Sequence, residues 1–233
     1  MKPKHALLLN LLAVVCAAVA AYLQAQHPKI LTYLCREDFI IEMATALCYF
    51  GAAGLFVWSC RIQGFKNVWC WGFAAMFFLV GAEEISWGQR IFGFGTPTQL
   101  QSVNVQREFN FHNLDGIHGN VRAAGLLLIG VLCYLMPLSN QFVAPMRSLY
   151  QKLRLPVCPL WASGIVTIAV LFMAYPRFVL GRIIFNTDEV GEFLLGMAFL
   201  AFAVDALLNI RSGSGPARAS VPGARAAGDL APG

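Results

Sequence analysis

The sequence predicts an all-α, polytopic transmembrane bundle of about six helices. Three observations predict it. Of the 233 residues, 58% are hydrophobic and only 12% are charged, against about 25% charged in soluble domains, so too little polar surface exists to coat a water-soluble fold. The apolar residues run continuously instead of alternating, which excludes the two-residue period of a membrane β-barrel. The runs approach the roughly 20 residues that cross a hydrocarbon core as helix. In lipid every backbone N–H and C=O needs a partner, and a helix supplies all of them within one segment.

The spans fall in order at 6–23, 39–58, 68–82, 123–138, 157–175 and 190–210. The first follows the basic start Met1–His5 and resembles a signal peptide. Its apolar run is longer than a signal h-region, and Val15 stands before Cys16 where a lipoprotein signal needs a small residue, so a retained helix is expected. The second carries Glu42. The third runs into Glu83 and Glu84, and the last carries Glu192 and Asp205. Residues 1–211 form the membrane domain, with a polar loop at about 89–120. The tail 212–233, built of Gly, Ala, Pro, Ser and Arg, has nothing to bury and is expected to be disordered.

The net charge of +5 does not indicate a nucleic-acid partner, because the basic residues lie in ones and twos between apolar runs. They set orientation instead. With the N-terminus inside, ten Lys and Arg fall in cytoplasmic segments and seven outside. The expected location is therefore a bacterial inner membrane, with both termini cytoplasmic. The partners are membrane lipid, and either a lipid-linked substrate or another membrane protein. The seven cysteines include no CxxC pair and read as small apolar residues.

The acidic residues segregate. Glu37, Asp38, Glu42, Glu83, Glu84, Glu108, Asp115, Asp188, Glu189 and Glu192 all thread to the non-cytoplasmic end, with His27, His112 and His118. Three segments there could carry chemistry. In Glu83–Arg90, a continuing helix would put Glu83, Trp87 and Arg90 on one face. Two adjacent carboxylates beside lipid need partners; the bland reading is an interfacial ion pair to Arg90. In Asn104–Asn113, Glu108 and His112 stand one helical turn apart, a spacing that can serve a metal ion or an oriented base, or simply a hydrogen-bonded cap. In Asn186–Glu192, Asn186 suits an N-cap with Glu189 three residues on, and Asp188 suits the helix N-terminus. Glu192 has no such structural explanation.

The run GAEEISWGQRIFG, then TP, then NVQREFNFHN resembles a motif set of uncharacterised bacterial integral membrane proteins, some of which carry a late acidic motif similar to Asp188–Glu192. The resemblance covers mainly 81–113 and implies a family, not an activity. There is no HExxH, GxSxG or P-loop. Comparison with alkaline-ceramidase-type hydrolases fails: Arg90 stands four residues after Ser86 where that group has His, and no late HxxxH follows.

The leading expectation is a membrane-embedded, metal-assisted hydrolase acting on a lipid-linked or amphipathic substrate at the non-cytoplasmic face. Glu83, Glu84, His112 and Glu192 would be catalytic. Glu83, Glu84, Glu108, His112, Asp188, Glu189 and Glu192 would offer ligands to one divalent cation. Arg90, Arg107 and Arg182 would balance the carboxylates. The alternatives are a cation- or proton-coupled transporter or channel, using Glu42, Glu192 and Asp205, and a non-catalytic binding or assembly subunit.

Overall fold

The computed structural model describes residues 1–36, 39–104, 109–111, 114, 118–179, 181 and 184–212, with side chains for all of these except 90, 118–122, 177 and 178. The described residues are helical almost throughout: α1 Pro3–Gln26, α2 Pro28–Leu34, α3 Ile40–Ile62, α4 Val68–Glu84, the short α5 Gln89–Phe92 and α6 Thr98–Gln101, α7 His118–Gly130, α8 Met136–Phe142, α9 Ala144–Leu153, α10 Ala162–Phe178 and α11 Phe185–Arg211. Four stretches are long and apolar enough to cross a membrane: α1, α3, the 123–142 stretch of α7 and α8, and α11. The apolar helices α4 and α10, at 17 residues each, are shorter. Six spans is therefore an approximate count. The all-α expectation holds, and the chain is a membrane protein by the length and composition of its helices.

The core is the triad α3, α4 and α11. In α3 the buried residues Ala46, Tyr49, Ala53, Phe56 and Cys60 recur at three- and four-residue intervals, which places them on one stripe. Phe56 stacks on Phe73 of α4 at 5.0 Å and meets Phe202 of α11 edge-on at 5.2 Å. Phe77 meets Phe199 at 5.0 Å, and both rings approach Tyr49, at 6.3 and 6.2 Å. These rings fill the space between the three helices.

The outer helices pack through small residues, as expected where lipid removes any hydrophobic drive between helices. On α1, Ala6, Ala13 and Ala20 are buried, while Leu7, Leu8, Leu11 and Leu12 are exposed. Asn10 donates to the Trp161 carbonyl at 3.1 Å, and a Cβ on Gly164 would lie 2.3 Å from the Asn10 Oδ1. Residues 131–135, between α7 and α8, form a π-turn. Pro137 explains it, because a proline has no N–H to give the carbonyl of residue 133. The Ser163 hydroxyl of α10 donates to that Cys133 carbonyl instead.

Side-chain contacts also fix which elements share an end. The Met1 ammonium pairs with Asp205 of α11. The Arg211 guanidinium lies 4.7 Å from the centroid of the Trp58 ring of α3. Asn67, which caps α4 by accepting from Trp69 N at 3.0 Å, donates to the Arg154 carbonyl at 2.9 Å. The start of α1, the α3–α4 turn, the segment before α10 and the end of α11 therefore lie together. The start of α3, the end of α4 and the start of α11 form the opposite end. Two helices were not expected from the sequence. The short α2 follows α1, and α9 occupies the basic 147–154 segment that had read as a loop. The 213–233 tail lies outside the described residues.

Candidate functional site

The opposite end is built on one face of α3, where Glu42, Thr45 and Tyr49 follow each other at three- and four-residue spacing. Two glycines let the flanking helices close on that face. A Cβ on Gly81 of α4 would meet Phe50 at 3.1 Å and the Tyr49 Cβ at 3.2 Å. A Cβ on Gly196 of α11 would meet the Cys48 Cβ at 3.1 Å and the Thr45 carbonyl at 3.4 Å. Glu84 stands three residues after Gly81, and Glu192 four before Gly196, so both arrive at the level of Glu42 and Tyr49. Glu84 lies within electrostatic reach of Glu192, Glu189, Glu42 and Glu83, strongest first. The Tyr49 hydroxyl lies within reach of Glu84 and Glu192. Tyr49 is 5% exposed, and among the described residues its hydroxyl makes no hydrogen bond. The four carboxylates Glu42, Glu84, Glu189 and Glu192 are half-buried.

Glu83 points elsewhere. Its Oε1 accepts from the Trp87 indole N–H at 2.6 Å and its Oε2 from the Phe111 amide at 2.7 Å. The helix does not continue through Trp87, so the shared face that a continuing helix would give does not arise. It stops at Glu84, and Ser86, Trp87 and Gly88 turn the chain with φ of 46°, 56° and 73°. Trp87 meets Glu83 by folding back, not by sharing a helical face. A Cβ on Gly88 would sit 2.8 Å from the Phe92 ring, so that corner needs glycine twice over.

The loop folds down onto this turn. The Ser86 hydroxyl accepts from Asn110 Nδ2 at 3.1 Å, and Gln89 Oε1 accepts from the Phe109 amide at 2.8 Å. Asn104 Nδ2 donates to the Asn110 carbonyl and side-chain oxygen at 2.9 and 2.8 Å. Gln89 Nε2 donates to the Thr96 hydroxyl at 2.7 Å. Phe94 and Phe109 meet edge to face at 5.7 Å. Asn110, Asn104, Thr96 and Ser86 are all buried. Of the other loop aromatics, Phe92 and Phe111 are exposed.

At the start of α11, Asp188 and Glu189 occupy the first turns, half-buried. Asn186 is not the N-cap; that position is Ile184, which has no side-chain cap. The Asn186 amide instead donates to Gln24 and Thr32, both at 3.0 Å, tying α1 and α2 to α11. Nearby, burial and then the Glu189 carboxylate push the Cys35 thiol up to about 12. Asp205, at the other end of the bundle, binds the Met1 ammonium and Asn209, and Arg211 lies on Trp58. It takes no part in the carboxylate cluster.

Glu108, His112, Asp115, Arg107 and Arg182 lie outside the described residues, as do Glu37 and Asp38. The side chains of Arg90 and His118 are not described. Among the described residues, no three His, Cys, Asp or Glu groups are placed to hold one metal ion. The fold thus gathers Glu42, Glu84, Glu189 and Glu192. Sequence reasoning singled out Glu84, Glu189 and Glu192 for the site, placed Glu42 at the same end but gave it only to the transport alternative, and missed Tyr49. The 42–45–49 spacing was the signal that could have found it. No family model matches the chain, and no curated protein or solved structure matches it.

Proposed function

We propose that this membrane protein is an enzyme whose site is the carboxylate cluster Glu42, Glu84, Glu189 and Glu192 with Tyr49, open to one face of the membrane. Its substrate is lipid-linked or otherwise amphipathic, since the site lies at the end of a lipid-embedded bundle. Carboxylates gathered this closely do not all carry full charge; protons or a cation are shared among them. A protonated member can then act as general acid and an ionised one as general base, with the different surroundings of each assigning the roles. Glu84, with Glu192, Glu189, Glu42 and Glu83 around it, is the proton-holding member. A divalent cation, with Glu108 or His112 among its ligands, belongs to the same proposal. The inner-membrane location, with this end non-cytoplasmic, belongs to the same proposal, as does membership in the motif family that 81–113 resembles.

The observation that carries the enzyme reading over transport is the aromatic block beneath the cluster. A polar path between α3, α4 and α11 would have to pass Tyr49, Phe77, Phe199, Phe56, Phe73 and Phe202, whose rings lie 5.0–6.3 Å apart. A pathway needs polar groups near the midplane, and that triad has rings there. Asp205 lies on the far side of the block, in contact with the Met1 ammonium.

The test compares the envelope lipids of cells producing the wild-type chain, Glu84→Gln and Glu192→Gln, by mass spectrometry. The expected result is a lipid or lipid-linked species that changes with the wild type and with neither variant. Identical lipid profiles, together with a Glu84-dependent ion flux in proteoliposomes, would replace the enzyme reading with transport.

A further inference from the structure

The adjacent acids of the 83–90 segment are bonded in different directions. Both Glu83 oxygens are engaged, one by the Trp87 indole at 2.6 Å and the other by the Phe111 amide at 2.7 Å. Glu84 accepts no hydrogen bond among the described residues and faces Glu192, Glu189 and Glu42. One helical step, about 100°, separates them. The turn that follows holds two non-glycine residues, Ser86 and Trp87, in the left-handed region, a conformation that persists only where surrounding bonds over-determine it. Those bonds come from the turn itself and from 109–111: Trp87 to Glu83, Phe111 to Glu83, Asn110 to Ser86 and Phe109 to Gln89. Three consecutive residues thus bind three motif residues across separations of 20, 24 and 28 in sequence.

We propose that the two carboxylates divide the work: Glu83 is a positioning residue that latches the 109–111 strap across the end of α4, while Glu84 serves the cluster. A carboxylate accepts from both donors at once, one at each oxygen. A glutamine at position 83 accepts from one and presents its own N–H₂ to the other. This explains why the segment carries two acids where one would supply the cluster. The latch itself is independent of the chemistry; its service to the site rests on the enzymatic reading above.

Hydrogen exchange on the full chain in nanodiscs tests the latch without a substrate. In Glu83→Gln, the peptide spanning 109–111 should exchange at least about tenfold faster, as for loss of a charge-assisted hydrogen bond. Glu84→Gln should leave that exchange unchanged. Asn110→Ala, which removes the side-chain bonds to Ser86 and Asn104 and leaves the Asn110 carbonyl in place, should accelerate it as well and serves if Glu83→Gln does not fold. In the lipid-profile assay, Glu83→Gln should slow the change seen with wild type, and Glu84→Gln should abolish it. Unchanged exchange in both Glu83→Gln and Asn110→Ala overturns the latch. Equal loss in the lipid assay for Glu83→Gln and Glu84→Gln, with the strap still protected, overturns the division of roles. A wild type without any lipid change defeats the enzymatic reading alone, because exchange still decides the latch.

Discussion

Replacing Tyr49 by Phe separates a hydroxyl that serves the fold from one that serves the site. The ring is 5% exposed and lies 6.3 Å from Phe77 and 6.2 Å from Phe199. Its Cβ also sits against Gly81. Phenylalanine keeps all of this packing and loses one oxygen. A hydrogen-bonded hydroxyl contributes a net of about 0.5–1.5 kcal/mol. The Tyr49 hydroxyl makes no such bond among the described residues, so Tyr49→Phe should change stability by less than about 0.5 kcal/mol. Tyr49→Ala empties the space between three helices and should cost about 3–5 kcal/mol, the range for large aromatic truncations. Reversible unfolding in mixed micelles measures both. In the lipid-profile assay Tyr49→Phe should nonetheless be impaired, because the hydroxyl faces Glu84 and Glu192. A loss above about 1 kcal/mol for Tyr49→Phe, of hydrogen-bond size, would show that the hydroxyl is bonded and structural, and the reasoning would fail.

Three further outcomes follow from the packing. Gly191→Ala places a Cβ 2.2 Å from Met173 Cγ and 3.3 Å from the Ala169 carbonyl; it should cost about 1–3 kcal/mol by micellar unfolding, whereas Gly54→Ala, with nothing within 4 Å, should be neutral or slightly stabilising. Ser163→Ala should destabilise by about 0.6–1.7 kcal/mol, the range for membrane hydrogen bonds, but much less in a Pro137→Ala background, where an amide N–H becomes available to Cys133; additive effects would refute that account of the π-turn. Cys35, held up to about 12, should resist alkylation at pH 8, where about one molecule in 10⁴ is thiolate; its reactivity should rise only as pH approaches 12, and rapid labelling at pH 8 would contradict the burial.

How much of this was legible in the sequence depended on whether the signal was local. Spans, fold class and the gathering of acids at one end follow from apolar run length and the parity of crossings. The end of the third span at Glu83–Glu84 was legible, but the turn after it was not: three left-handed residues, only one of them glycine, leave no local mark, and most of the bonds that hold them come from 109–111. The Asn186 cap failed for the same kind of reason: Gln24 and Thr32, more than 150 residues away, compete for its amide. Glu42 looked isolated because its neighbours come from α4 and α11, and only the close approach at Gly81 and Gly196 brings them to it. The helix α9 gave no span signal because it is only 10 residues long and interrupted by Arg147 and Lys152.

The central claim is a carboxylate site open to one face and sealed beneath by rings. Its most direct test is sided labelling in sealed, oriented proteoliposomes with a membrane-impermeant thiol reagent, read against the background of the seven native cysteines. Glu84→Cys should label from one face only, and Phe77→Cys, whose native ring is 1% exposed, from neither. Labelling of Phe77→Cys, or of Glu84→Cys from both faces, would mean that water passes the aromatic block and would contradict the account.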